Sequence, residues 1–193
     1  LLADTERPDC GALAIFAAEL WIALGLLHDK KKNIPEQRTL PLVVVGLVFV
    51  MALSGGFVAG LRAGHAYNTF PLMNGRLIPP ETFMLEPWWR NFFWNVVTVQ
   101  LVHRAFFWLL LILIPLLWWQ ARHTQAKIAA HHLLGLFLIQ AVLGIATLLL
   151  AVPVALGAAH QAGAVLLLAA ALWSAHAMKT NAPSIANTAA IDA

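Results

Sequence analysis

Charged residues are scarce in this chain. They make up 11% of its 193 residues, against roughly 25% in soluble domains, while hydrophobic residues make up 61%. The apolar runs also lack the alternation of apolar and polar residues that marks a strand with one face in water. A soluble globular protein is thereby excluded, and the composition predicts an integral membrane protein whose main partner is the lipid bilayer.

Cysteine is nearly absent as well, and so is a basic surface of the kind that binds nucleic acid. Cys10 is the single cysteine, so the sequence offers no internal disulfide and says little about redox compartment. The net charge is +3, but no basic patch is interleaved with stacking aromatic residues. Nucleic acid is therefore not expected among the partners.

Five apolar segments approach the length of about 20 residues that spans a bilayer as a helix, the first of them marginally. They are Gly11 to Leu27, Pro41 to Leu61, Val96 to Trp119, Ile128 to Ala151 and Val154 to Ala177. Because lipid offers the backbone no hydrogen-bond partner, we predict an all-α integral membrane fold with five transmembrane helices. We expect the last four to form an antiparallel four-helix bundle.

The same pattern divides the chain into four parts. We expect a single helix in 1–28, an inner-side linker at 29–40, the bundle at 41–178 with an outer loop at 62–95, and a disordered tail at 179–193. The odd number of helices and the abrupt polar start lead us to expect a fragment whose N-terminal part is missing. A proteolytically processed chain would look the same.

Basic residues predict the orientation. All five lysines fall on one side of the predicted membrane: Lys30, Lys31, Lys32, Lys127 and Lys179. By the positive-inside rule this side is the cytoplasm, or the matrix in a mitochondrion. We therefore expect the C-terminus on the inner side and the outer loop on the other.

Two histidines lie at the same depth in the predicted membrane. His103 lies roughly 9 Å and His160 roughly 10 Å below the outer ends of their helices. One iron can take an axial imidazole from each of two flanking helices, so the pair predicts a haem site. Zinc is the weaker alternative, because the outer halves of these helices offer no third ligand. The other histidines lie near the inner surface or in the outer loop: His28, His65, His123, His131, His132 and His176.

Two arginines are candidate partners for haem propionates. Arg104 lies beside His103, and Arg62 lies at the outer end of the second helix. Each guanidinium either pairs with a propionate or extends to the polar membrane surface, as arginine side chains near helix ends commonly do. The aromatic segment around Trp88 to Trp94 is either an interfacial helix or a lid over the haem edge.

A faint internal repeat accompanies the histidines. The second helix carries Met51-Ala-Leu-Ser-Gly-Gly-Phe-Val, the fourth carries Gln140-Ala-Val-Leu-Gly-Ile-Ala-Thr, and a helix with one of the paired histidines follows each. Taken alone the repeat is weak, because glycine is common in membrane helices. For Gln140, and for a protonated Glu19 in the first helix, we expect interhelical hydrogen bonds.

The outer end of the second helix and the loop after it resemble a known signature. The run Ala52-Leu-Ser-Gly-Gly-Phe-Val-Ala-Gly-Leu-Arg-Ala-Gly-His-Ala-Tyr-Asn-Thr-Phe-Pro-Leu-Met73 is similar to the loop signature of the haem A synthase family. Matching motifs follow at the family's spacing: Val102-His-Arg104, Gln140 to Leu148, and Ala159-His-Gln161. One departure is Arg62, where many members carry aspartate. The resemblance covers nearly the whole chain.

The resemblance implies an eight-helix protein made of two similar halves, of which this chain looks like the last helix of the first half plus the complete second half. It implies that His103 and His160 are the axial ligands of a haem b. The substrate haem O and the catalytic residues would belong to the first half, so activity of this chain alone is not expected. Whether that half is a missing part or a separate chain stays open.

The implied activity is oxidation of the C8 methyl group of haem O to a formyl group, which makes haem A for cytochrome oxidase. Haem O synthase and an unidentified electron donor are the implied partners, and a homo-oligomer is left open. The implied location is the bacterial plasma membrane, or the mitochondrial inner membrane in a eukaryote. A membrane cytochrome b that only transfers electrons is the alternative, and a transporter or assembly subunit without a cofactor is the third reading.

Overall fold

The computed structural model describes residues 10–27 and 39–179. These ranges hold six α-helices and no strand, apart from one isolated bridge between Met73 and Arg76. The helices are α1 (Cys10–Leu27), α2 (Thr39–Gly60), α3 (Asn91–Trp94), α4 (Val96–Ala121), α5 (Lys127–Leu149) and α6 (Val154–Lys179). The all-helical prediction is confirmed.

Four helices, α2, α4, α5 and α6, are long and apolar enough to cross a membrane. In α1 the apolar stretch is shorter, Ala14–Leu26, which agrees with the marginal length of the first predicted segment. Most of the predicted linker, residues 29–38, lies outside the described residues, and so do the tail from 180 and the lysines at 30–32. The division of the chain into four parts and the side on which each end lies stay predictions.

Local chemistry explains where the long helices begin and end. Asn95 caps α4, because its side-chain oxygen accepts the backbone N–H groups of Val97 and Thr98 at 2.9 and 3.2 Å. The last turn of α2 closes when the Arg62 N–H donates to the Ala59 carbonyl at 3.0 Å, with Arg62 itself in the left-handed region at φ 52°. Pro153 directly precedes α6, where its missing N–H costs no helical hydrogen bond.

The four long helices form a closed ring of contacts. α2 packs against α4 and α6, and α5 packs against the same two helices. α1 packs on the outside of this group, against α6. In this ring α4 and α6 lie across from each other, and each has a glycine-bearing helix on either side.

One end of the ring is tightly packed and the other is hollow. The packed end consists of the early residues of α2 and α5 and the late residues of α4 and α6, with Val48, Ile114, Phe137 and Leu168 fully buried. The hollow end is bounded by the late turns of α2 and α5 and the early turns of α4 and α6. The fold therefore places a cavity between the four helices, next to their packed core, and Val48 and Phe137 of that core also line it.

Candidate functional site

The cavity has a volume of about 700 Å³. This lies within the range of about 300–1,000 Å³ that small-molecule and cofactor sites occupy. Its walls are mostly apolar, and the lining includes His103 from α4 and His160 from α6. Arg62 and Arg104 also line it, so the structure brings all four site residues predicted from the sequence to one cavity.

His103 is held by a hydroxyl group of the neighbouring helix. Its Nδ1 atom lies 2.8 Å from the Ser54 Oγ atom, and the Ser54 hydroxyl donates to the Met51 carbonyl at 2.7 Å. Gly55 lies against the ring, since a Cβ atom at that position would be 3.4 Å from His103 Cε1. Residue spacing did not predict this role of Ser54, although Ser54 lies within the Met51 repeat.

His160 meets the cavity from the opposite helix. A Cβ atom on Gly144 would lie 2.9 Å from His160 Cε1 and 3.3 Å from its Nε2, so only glycine allows the ring its present position. The Gln140 amide donates to the His160 carbonyl at 2.8 Å, which confirms the predicted interhelical hydrogen bond. The Nδ1 atom of His160 is buried and has no hydrogen-bond partner among the described residues.

Arg104 is more than a charge beside His103. The side chain is only 8% exposed, and it donates to three backbone carbonyls of the outer loop. These are the carbonyls of Tyr67 at 3.1 Å, Pro71 at 3.3 Å and Leu72 at 3.4 Å. Gln100, one helical turn earlier, donates to the Tyr67 carbonyl too, at 3.2 Å. The first part of the loop is therefore clamped to α4, a role that the sequence did not reveal.

The loop closes the cavity with its first residues. His65 and Phe70 line the cavity, and Phe70 stacks on Trp108 of α4 with ring centroids 5.7 Å apart. The aromatic segment Trp88 to Trp94 is helical, as predicted, but none of its residues lines the cavity. Its rings are exposed and contact one another, and the Phe93 ring also contacts Phe57 of α2, with centroids 5.6 Å apart. The cavity lining does not support a lid at this segment, and that alternative stays a prediction.

The remaining polar residues of the sequence analysis lie elsewhere. His131 and His132 are exposed, and each ring contacts the carbonyl four residues earlier, that of Lys127 or Ile128. His176 is buried beside Trp21. Glu19 is exposed on α1, so the expected hydrogen bond to a neighbouring helix is not formed within the described ranges.

The donor set of the cavity fits a haem better than a cation held by oxygen or sulfur. Among the described residues, the lining contains no carboxylate and no thiolate, and its metal-binding side chains are imidazoles: His65, His103 and His160. Gly55 and Gly144 leave space for the imidazole rings of His103 and His160. His160 Nδ1 lacks a hydrogen-bond partner in the described structure. Apolar walls around paired imidazoles are what a bis-histidine haem requires.

Comparison with known proteins agrees with this interpretation. Residues 10–172 match the family model COX15-CtaA, described as cytochrome oxidase assembly protein. The chain is 51% identical over 177 residues to heme A synthase of Nitrosospira multiformis, covering 87% of this chain and 50% of that protein. It is 43% identical over 166 residues to heme A synthase of Parvibaculum lavamentivorans, covering 86% and 48%.

A plant relative matches as well. The chain is 39% identical over 186 residues to heme A synthase COX15 of Arabidopsis thaliana, covering 90% of this chain and 41% of that protein. No solved structure matches significantly. The chain spans about half the length of the curated relatives that it matches. The family resemblance seen in the loop signature is confirmed, and the chain belongs to the COX15-CtaA family of cytochrome oxidase assembly proteins.

Proposed function

We propose that this chain supplies the haem b site of a haem A synthase, with His103 and His160 as the axial ligands of one iron. The observation that carries the proposal is the convergence of both imidazoles on a single apolar cavity between four long helices. We further propose that these four helices are the antiparallel haem-binding bundle expected from the sequence. The late turns of α2 and α5 meet the early turns of α4 and α6 at the cavity, which supports this arrangement.

Each residue of the site has a definite task in this proposal. The two imidazoles would hold the iron, the apolar walls would exclude water, and Arg62 and Arg104 would provide positive charge for the propionates. A haem with two imidazole ligands has no open position for O₂ and is suited to electron transfer. The clamp of Arg104 on the loop keeps the cavity covered at its mouth.

For the whole protein we propose oxidation of the C8 methyl group of haem O to a formyl group. The names of the relatives support this activity, because they are heme A synthases. The oxidising site would lie in the part of the relatives that this chain does not match. Haem O synthase and an electron donor would be its partners, and the membrane would be the bacterial plasma membrane or the mitochondrial inner membrane.

Haem titration of the purified chain tests the proposed site. We expect the wild-type chain to bind ferric haem b and give a low-spin spectrum, and His103→Ala and His160→Ala each to lose that spectrum. His131→Ala is the matched control, because this histidine is exposed and lies outside the cavity. A low-spin spectrum that survives both cavity substitutions contradicts the proposal.

The activity needs its own experiment. The longest natural form of the protein, incubated with haem O, O₂ and a reductant, is expected to produce haem A or its hydroxylated intermediate by mass analysis. A protein that binds haem b but leaves haem O unchanged would instead be a cytochrome that only transfers electrons.

A further inference from the structure

Ser54 lies between a carbonyl group and one of the two cavity histidines. Its Oγ atom is 2.7 Å from the Met51 carbonyl oxygen and 2.8 Å from His103 Nδ1. Ser54 is also nearly buried, with 9% of its surface exposed. Water therefore has little access to this chain of three groups, and they satisfy one another.

The number of hydrogen atoms decides the direction of each bond. A serine hydroxyl has one hydrogen, and a carbonyl oxygen can only accept. The contact with Met51 therefore uses the hydroxyl hydrogen, and Ser54 can only accept from His103. Nδ1 must then carry the proton of the neutral imidazole, which leaves the lone pair on Nε2.

The opposite histidine has no such partner. In the repeat Met51 aligns with Gln140 and Gly55 with Gly144, so the position of Ser54 is taken by Leu143. The alignment holds in three dimensions, because Gly55 contacts the His103 ring as Gly144 contacts the His160 ring. Leucine offers no acceptor, and His160 Nδ1 is left without a partner among the described residues.

We propose that Ser54 is a positioning residue that keeps His103 in the Nδ1–H tautomer, so that Nε2 is the iron donor and His103 is the stronger donor of the two ligands. This inference rests on the proposed haem site. A hydroxyl that already donates to a carbonyl is a better acceptor, because hydrogen bonds in a chain polarise one another. An imidazole that donates its other N–H to such an acceptor is fixed in orientation and is a more basic ligand.

The test combines a measurement without haem and one with it. In the full chain without haem, labelled with [15N]histidine and kept at a mildly alkaline pH, the His103 signal is identified by its loss in His103→Gln. We expect wild-type His103 to show the Nδ1–H tautomer and Ser54→Ala to show a mixture. In the chain loaded with haem b, we expect Ser54→Ala to raise the midpoint potential and to weaken haem binding by about tenfold.

Two matched comparisons keep the result interpretable. The variants Ser54→Thr and Ser54→Val introduce side chains of the same shape as each other, but only threonine has a hydroxyl group. In a helix this hydroxyl donates a hydrogen bond to the carbonyl three or four residues earlier. We expect the threonine variant to keep the wild-type tautomer and potential and the valine variant to behave like Ser54→Ala. Ser174→Ala, a buried serine of α6 outside the cavity lining, should change neither.

The possible failures are distinguishable. If the wild-type chain binds no haem while the labelled chain shows the Nδ1–H tautomer of His103, the proposed function fails and the role of Ser54 in fixing the ring stands. If haem binds with a low-spin spectrum but the threonine and valine variants give equal tautomers and potentials, the inference about Ser54 is overturned and the haem site stands.

Discussion

α2 and α4 build one side of the cavity and α5 and α6 build the other, and each side sets a glycine against a histidine ring. The sides differ in how the ring is held. On the first side Ser54 bonds His103, while on the second the aligned residue is Leu143 and His160 Nδ1 has no partner in the described structure. The connections differ too, because a long clamped loop joins α2 to α4 and a short turn joins α5 to α6.

The comparison separates what the two sides share from what each has alone. The shared feature is space: a residue without a side chain lets a ring pass close to a helix backbone. The polar contact is not shared, because it depends on a hydroxyl that is present at one position and absent at the other. We infer that the repeat specifies the position of the two ligands and that their electronic environment is set separately on each side.

The largest expected effect comes from filling the space under one ring. In Gly144→Ala the new Cβ would lie 2.9 Å from His160 Cε1, so the ring must move. In Gly55→Ala the corresponding distance to His103 is 3.4 Å, which is an ordinary contact. We expect Gly144→Ala to weaken haem binding by about 10- to 100-fold and Gly55→Ala by less than about threefold. Haem titration of both variants checks this, and equal affinities would show that the two rings are packed alike.

The clamp on the loop is the next contact to break. Arg104→Met keeps an unbranched, flexible stem but removes three hydrogen bonds to loop carbonyls, of a kind worth about 1.5–3 kcal/mol each when the donor is charged. We expect amide hydrogen exchange of residues 62–78 to become at least about tenfold faster, because the carbonyls lose partners and the loop opens. Arg122→Met is the control, since Arg122 stacks on Trp119 at the other end of α4. Unchanged exchange in Arg104→Met would mean that the loop is held without it.

A hydroxyl can also be added where it is missing. Leu143→Ser places serine one residue before Gly144, as Ser54 stands before Gly55. We expect the new hydroxyl to accept from His160 Nδ1 and to lower the midpoint potential of the bound haem, the opposite direction from Ser54→Ala. Leu143→Ala controls for the lost side-chain volume. A potential that is the same in the serine and alanine variants would show that position 143 does not reach the ring.

The helices could be predicted from the sequence for physical reasons that act locally, and so could the presence of two histidines at one level, both of which line the cavity. A backbone in lipid must form helices, so each apolar run became a helix, as with Val96 to Trp119 and the observed Val96–Ala121. Helical rise alone placed His103 and His160 at one level. The Ser54 bond could not be predicted in this way, because it joins residues 49 positions apart and depends on side-chain rotation. Arg104 was interpreted only as a charge, because the path of an aperiodic loop cannot be read from residue spacing.

The smallest expected effect comes from breaking a hydrogen bond in the exposed part of the loop between α2 and α4. The short turn between α5 and α6 has no counterpart of this loop. The Tyr67 hydroxyl donates to a carboxylate oxygen of Glu81 at 2.8 Å, and this bond raises the pKa of Tyr67 above its ordinary value. The pKa of Glu81 is lowered, mainly by a hydrogen bond from its own backbone and then by the one from Tyr67.

The direction of each shift gives the pH range of the contact. A lowered pKa in Glu81 means that its stabilisation is present above the ordinary glutamate pKa of about 4.3 and is lost as the pH falls through the folded value. A raised pKa in Tyr67 means that its stabilisation is complete below about 10 and is lost as the pH rises through the folded value. Between these limits we expect Tyr67→Phe to speed amide exchange near Glu81 by less than about tenfold, because the bond is exposed to water. At acid pH the two proteins should exchange alike, and a difference that persists there would mean that the ring, not the hydroxyl, holds the loop.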